Sequence, residues 1–260
     1  MSKTAGTLES QIVWNELHCG DLDALIIFYG ELFGWTTRPE ERATYTHFYL
    51  GEQSVAGVMP LHSGPETPAR WQVYVGSLEV DAYAERAVAA GGKLVTPVMD
   101  IPEAGKFCAV ADPEGAVLSA FNPAKHDRDL WERTNAPGTF CWVELLCRDT
   151  DAARAFYSSV VGWEMREMDL GGGVGPYTII APAGSPEGSG VGGIQSMPAE
   201  DKGPSCWLPY VSVEDVAATS AKAESLGGKL FVPATDIPNV GCFAVLADPE
   251  GAMFALYRSE

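Results

Sequence analysis

The chain carries the same text twice. Trp14-Asn15-Glu16-Leu17-His18-Cys19-Gly20-Asp21 returns as Trp142-Val143-Glu144-Leu145-Leu146-Cys147-Arg148-Asp149, with every position moved on by 128. Phe28-Tyr29 and Gly34-Trp35 return at the same displacement as Phe156-Tyr157 and Gly162-Trp163. Further along the displacement is 136. Gly91-Gly92-Lys93-Leu94 meets Gly227-Gly228-Lys229-Leu230, and Asp112-Pro113-Glu114-Gly115-Ala116 meets Asp248-Pro249-Glu250-Gly251-Ala252. The added residues fall between Trp163 and Val191, a stretch rich in Gly, Pro and Ser. Self-similarity at a long fixed period is the signature of a duplicated structural unit. Pro123, Asn135, Pro137 and Gly138 break regular structure between the copies. The expected division is a first domain over 8–122, a linker over 123–138 and a second domain over 139–260.

Each copy reads as mixed helix and strand. Ile12 to His18 alternates as a strand. Asp21 then caps a helix whose apolar residues Leu22, Leu25, Ile26, Tyr29, Leu32 and Phe33 follow helical spacing, and Gly34 suits a left-handed C-cap. Strand-like runs follow at Thr44 to Leu50 and Ser54 to Met59. A second round opens at Trp71 to Ser77, continues as a helix from Glu79 to Ala90, and ends in extended runs at Lys93 to Val98, Lys106 to Ala111 and Ala116 to Phe121. Asp-Pro-Glu-Gly supplies the turn before the last of these.

That order, with Phe-Tyr in the first helix, Gly-Trp after it and Asp-Pro-Glu-Gly before the last strand, resembles the vicinal-oxygen-chelate superfamily. Glyoxalase I, the bleomycin- and fosfomycin-resistance proteins and the extradiol dioxygenases belong to it, and the similarity is greatest to two-domain bacterial glyoxalase-like proteins. It spans about Ile12 to Phe121 and Phe140 to Tyr257. The resemblance implies an α+β fold: two tandem glyoxalase-like domains, each of two βαβββ modules forming a curved mixed sheet around an open cup. Because one-domain members commonly dimerise, the chain is expected to be a pseudo-dimeric monomer or a homodimer.

The family's enzymes hold one divalent metal per cup with His, Gln or Glu. Carried onto this chain, the ligand positions fall on Trp14 and Trp142, near Met59 and Gln195, near Gln72 and Leu208, and on Ser119 and Ala255. Indole and alkyl groups do not ligate, and the four histidines, His18, His47, His62 and His126, all lie in the first copy or the linker. The expectation is no cofactor and no metal site, with a divalent metal as the alternative. Three functions compete: a binder of a small organic molecule, a metal-dependent glyoxalase-type lyase and, last, an extradiol-type dioxygenase.

Side chains two apart on a strand share a face. Trp14, Glu16 and His18 therefore point one way, as do Trp142, Glu144 and Leu146. An inward carboxylate is costly unless bonded, which makes Glu16 and Glu144 candidate catalytic or ligand-accepting groups, or else structural ones tied to a Tyr, an Arg or a backbone amide. The candidate ligand-binding wall adds Tyr45, His47, Gln72, Tyr74 and Phe121 in the first copy, and Tyr177, Gln195, Tyr210 and Tyr257 in the second. Trp71 and Trp207 face the other way. The equivalent Cys19 and Cys147 read as buried packing. Gly171 to Gly175 lacks the strand-then-helix context of a phosphate cradle, and with Ser185 to Gly190 it reads as a lid over the cup.

Charge and composition narrow the partners. The net charge of −18 repels nucleic acid and anionic lipid. No apolar run approaches the length of a membrane span, and the N-terminus lacks the apolar core of a secretory signal. Six cysteines occur without a Cys-x-x-Cys pair. The expected setting is cytoplasmic, and the expected partner is a small molecule.

Overall fold

A computed structural model of the protein describes residues 8–39, 45–61, 68–125, 135–170, 176–198 and 202–260. His62, His126 and Gly171 to Gly175 lie outside the described residues. The first half runs β1 (Ile12–Cys19), α1 (Leu22–Phe33), β2 (Thr36–Pro39), β3 (Thr46–Leu50) and β4 (Gln53–Pro60). It continues as β5 (Arg70–Gly76), α2 (Val80–Ala89), β6 (Lys93–Ile101), β7 (Gly105–Ala111) and β8 (Val117–Pro123). The second half repeats this as β9 (Phe140–Cys147), α3 (Thr150–Val160), β10 (Trp163–Asp169), β11 (Pro176–Pro182) and β12 (Gly192–Ser196). Its second module is β13 (Cys206–Ser212), α4 (Val216–Ser225), β14 (Lys229–Ile237), β15 (Gly241–Ala247) and β16 (Met253–Ser259).

The strands form two mixed eight-stranded sheets, ordered β2-β3-β4-β1-β5-β8-β7-β6 and β10-β11-β12-β9-β13-β16-β15-β14. In each βαβββ module the first strand lies parallel to the last, β1 with β4 and β5 with β8, and the modules join by the antiparallel β1–β5 pair. The expected α+β architecture is the one observed. Helix starts follow local chemistry: the Asp21, Asp149 and Asp215 side chains each accept the amide three residues on, and Gly34 closes α1 at φ 75°. Strands β2 and β10 escaped the sequence reading. They are sheet edges, and β10 (WEMREMD) is almost entirely polar or exposed, so no apolar alternation marks it.

The two halves do not fold around separate cores. One large apolar cluster joins Leu17, Leu25, Phe28 and Tyr29 of the first half to Val216, Ala223, Leu246 and Phe254 of the second. The other joins Tyr83, Val110 and Leu118 to Leu145, Phe156, Tyr157, Trp163 and Trp207. Each first helix thus packs on the far half.

The repeated sequence signatures make this junction. Tyr29 donates to Asp248 Oδ2 at 2.9 Å and accepts from Trp71 Nε1 at 2.9 Å. Its copy Tyr157 donates to Asp112 Oδ2 at 2.9 Å and accepts from Trp207 Nε1 at 3.0 Å. The other carboxylate oxygen of each Asp takes the amides of its own Asp-Pro-Glu-Gly turn. The Glu of that turn crosses over as well: Glu250 accepts the Gly20 and Asp21 amides, and Glu114 accepts those of Arg148 and Asp149. A carboxylate at a helix entrance faces unpaired amides and the positive end of the helix dipole. Trp163 Nε1 donates to Ser10 O and Trp35 Nε1 to Gly138 O, closing the junction at both ends.

Candidate functional site

The opposite sheet face carries the remaining polar and aromatic groups. Across β1 and β5 the register pairs Trp14 with Tyr74, Glu16 with Gln72 and His18 with Arg70. Tyr74 is followed by Ser119 on β8, while Gly57 and Met59 of β4 flank Glu16 and His18. Three rows result, and the strand alternation read from the sequence places them on one face, with Trp71 on the other.

Glu16 is 6% exposed. The Tyr74 hydroxyl donates to its Oε1 at 2.7 Å, and His18 Nε2 meets the same oxygen at 2.7 Å. Both donors converge on Oε1, so neither occupies Oε2. With Nε2 as the donor, His18 Nδ1 is the acceptor, and Arg70 Nη2 lies 3.5 Å from it. Burial pulls the Arg70 guanidinium below its usual value, with Tyr74 and Glu16 working against that shift. Trp14 Nε1 donates to the Tyr45 hydroxyl at 2.8 Å. His47 lies with its ring centroid 5.5 Å from that of Trp14 and bonds Ser54 at 3.0 Å. Phe121 packs edge-on against Tyr74 at 6.2 Å.

The second half repeats the core of this arrangement. Trp142 Nε1 donates to the Tyr177 hydroxyl at 2.8 Å, and Tyr210 donates to Glu144 Oε1 at 3.0 Å. Tyr177 also bonds Glu144. Glu144 is 7% exposed; burial raises its carboxyl above the ordinary value, and the two tyrosine hydroxyls pull the other way. Burial, and next the Glu144 charge, hold the Tyr177 and Tyr210 hydroxyls well above their ordinary value, so they stay donors. Gln195 stands beside Leu146, as Met59 does beside His18.

Sequence reasoning missed three contributors. Gly57 and Gly193 are bare because a Cβ there would sit 1.9 Å from the Tyr45 hydroxyl and 2.0 Å from that of Tyr177. The missing side chain is what lets each tyrosine lie across the sheet to its Trp. Arg70 is the third; two residues before Gln72 on a strand, alternation alone already placed it on this face.

Other candidates are drawn elsewhere. Gln72 is buried, with its amide turned to the Val117 and Val73 carbonyls. Tyr257 donates to Val240 O at 2.7 Å. The Cys19 and Cys147 thiols are both pushed up to about 12, first by burial and then by neighbouring carboxylates, so thiolate chemistry is not set up there. In the segment expected to form a lid, Arg166 binds the Ser185 and Pro186 carbonyls. At its end, a Cβ on Gly190 would lie 2.7 Å from the Trp142 ring.

A divalent metal does not fit these donors. Around Glu16 the Tyr74 hydroxyl and the His18 ring already occupy one carboxylate oxygen, and the Arg70 guanidinium lies next to that His18, a cationic neighbour that disfavours a second cation there. Around Glu144 it places two phenols and the aliphatic Leu146 and Leu208. Among the described residues no three His, Cys, Asp or Glu side chains converge as a metal-holding group. No helix among them is long and apolar enough to cross a membrane.

Comparison with known proteins identifies the fold and the family. The profile described as "Glyoxalase-like domain" matches residues 11–121 and again 142–257. CFP32 of Mycobacterium bovis, which carries a provisional glyoxylase name, is 36% identical over 251 residues, covering 94% of this chain and 93% of that protein. The anthracycline biosynthesis protein DnrV of Streptomyces peucetius is 31% identical over 259 residues, covering 94% and 91%. Among solved structures, the Mn(II)-bound glyoxalase of Novosphingobium aromaticivorans superimposes with a TM-score of 0.61 at 17% identity, covering 96% of this chain and 82% of that one. An extradiol ring-cleaving dioxygenase of B. fuscum gives 0.65 at 14% identity, covering 96% and 72%. At such identities the structural matches speak for the fold alone. The two profile matches and the relatives above 30% identity go further: this chain belongs to the glyoxalase-like family of the vicinal-oxygen-chelate superfamily, with the domain present twice.

Proposed function

We propose that the chain binds a small planar organic molecule on the cup face of each half, and does so without the metal used elsewhere in the superfamily. The observation that carries this reading is the duplicated Trp–Tyr–Glu–Tyr set: Trp14, Tyr45, Glu16 and Tyr74, and again Trp142, Tyr177, Glu144 and Tyr210. Each set puts a half-buried indole beside a buried, hydrogen-bonded carboxylate, on the face that takes no part in joining the halves. Indole and phenol surfaces offer stacking area, and a fixed carboxylate accepts an N–H or O–H of what stacks there. Two relatives are named for anthracycline biosynthesis, and anthracyclines are built on fused planar rings. The donor geometry around both carboxylates supports binding over metal-assisted chemistry.

The test is calorimetric titration of the full chain with 2-naphthamide, a neutral planar probe with an N–H donor. Glu16→Gln or Glu144→Gln keeps size and an acceptor oxygen but removes charge. A hydrogen bond to a charged group contributes about 1.5–3 kcal/mol, so affinity at the altered cup should fall about tenfold or more. Variants with lowered melting temperature and unchanged affinity would make both carboxylates architecture and end this reading. Metal analysis of the purified protein, with a turnover assay on the methylglyoxal–glutathione adduct, separates it from the lyase: about one bound metal together with turnover would favour the lyase.

A further inference from the structure

The two cups agree at one end and differ at the other. Trp14–Tyr74 in the first matches Trp142–Tyr210 in the second, and Glu16 matches Glu144. The third row is Met59–His18–Arg70 in the first cup and Gln195–Leu146–Cys206 in the second. We infer that the first cup is specific for a planar aromatic molecule bearing an acidic group, whose anion is taken by Arg70, with His18 Nδ1 steadying the guanidinium, whereas the second cup takes neutral planar molecules. This rests on the binding role proposed above and names the ligand class for one of its two sites.

Three observations support it. Arg70 is only partly exposed, and among the described residues its one side-chain hydrogen bond is the long 3.5 Å approach to His18. A guanidinium has five N–H donors arranged to hold a carboxylate by two parallel bonds, so most of its capacity is unspent. The Glu16 charge does not claim it: that carboxylate is met by Tyr74 and His18, and among the described residues Arg70 has no ion pair. Finally, the spacing suits an elongated ligand. Trp14 and His18 are four residues apart on one strand, roughly 13 Å, which leaves room for two fused rings with a carboxylate at the far end. Glu16 lies between them, where its charge favours ligands that carry the anion at the Arg70 end and not in the middle.

The experiment compares 2-naphthoate with 2-naphthamide, equal in shape and different in charge, by titration calorimetry on the full chain. Wild type should bind one equivalent of the acid at least about tenfold more tightly than the Arg70→Gln variant does, since a charge-assisted hydrogen bond is lost. The acid-to-amide affinity ratio should collapse in Arg70→Gln and in the His18→Leu/Arg70→Gln double variant. It should rise when Leu146→His and Cys206→Arg are introduced into the second half. The acid affinity of wild type should also weaken with added salt, and the amide affinity should not. Circular dichroism on each variant shows that it is folded, and Arg70→Gln alone leaves the Glu16–His18 pair in place if the double variant is not. Amide binding with no acid preference, or an acid preference untouched by Arg70→Gln, overturns this inference alone. Failure of wild type to bind either probe overturns the binding role and the inference with it.

Discussion

Replacing Tyr29 by Phe removes one oxygen and nothing else, yet that oxygen serves both halves. It donates to Asp248 across the junction and accepts from the Trp71 indole of its own half, each at 2.9 Å. Tyr29 is fully buried and Asp248 is 2% exposed, so no water replaces the lost partner. A hydrogen bond to a charged group contributes about 1.5–3 kcal/mol, and a buried donor left without an acceptor costs about 1–3 kcal/mol more. The ring and its packing against Trp35 and Phe254 stay. A loss of about 3 kcal/mol is therefore expected, equivalent to roughly 6–12 °C in melting temperature for a chain of this size. Tyr157→Phe should cost the same within about 0.5 kcal/mol, because its bonds of 2.9 and 3.0 Å reproduce the first set, and the double variant should be near the sum. Urea unfolding followed by tryptophan fluorescence, with a parallel titration of 2-naphthamide, gives both readouts. Ligand affinity should hold in every folded variant, since these tyrosines lie on the face opposite Glu16 and Glu144. A loss under about 0.5 kcal/mol from Tyr29→Phe, or a large difference between the two variants, would refute the account of the junction.

Three further outcomes follow from other residues. Burial raises the Asp248 carboxyl to about 6, above its unfolded value, so its contribution to stability is complete at low pH and fades as pH rises through 6. Asp248→Asn should accordingly gain on wild type by on the order of 2–3 kcal/mol between pH 4 and pH 7.5, read from denaturation midpoints at both. Asn15 Oδ1 is buried without a partner, and the repeat places Val143 at the equivalent position; Asn15→Val should stabilise by about 1–2 kcal/mol, and a destabilised protein would count against it. Gly57→Ala should evict Tyr45 from the Trp14 indole, lowering stability by about 1–2 kcal/mol and shifting tryptophan emission, with no change in either quantity as the contrary result.

What the sequence disclosed and what it withheld divide by distance along the chain. The Asp21 cap, the Gly34 closure and the alternation that sends Trp14, Glu16 and His18 to one face are decided within a few residues, and all are legible. The edge strands β2 and β10 were not, because a strand half in water has no apolar rhythm to show. Asp-Pro-Glu-Gly was legible as a turn, but its acceptors reach a helix start in the other half, 229 residues away for Asp21 and Glu250, and no local pattern announces that. The likeness of the two copies was plain, whereas the register that sets Arg70 beside His18 depends on β1 finding β5 across 52 residues.

That division also explains where the copies have been able to differ. At the junction each copy supplies what the other lacks: Tyr29 needs Asp248, and Tyr157 needs Asp112. Changing one member alone orphans a buried polar group in the opposite half, so both copies are held to the same residues at Tyr29 and Tyr157, Trp71 and Trp207, Asp112 and Asp248, Glu114 and Glu250. On the cup face the bonds of His18 and Arg70 stay within their own half. His18 and Arg70 can become Leu146 and Cys206 without stranding anything across the junction, provided the carboxylate beside them finds other donors. It does: Glu144 takes Tyr177 and Tyr210. Divergence in the third row therefore leaves the Tyr–Asp pairs of the junction untouched. A duplicated domain built this way can hold two different ligands with one architecture.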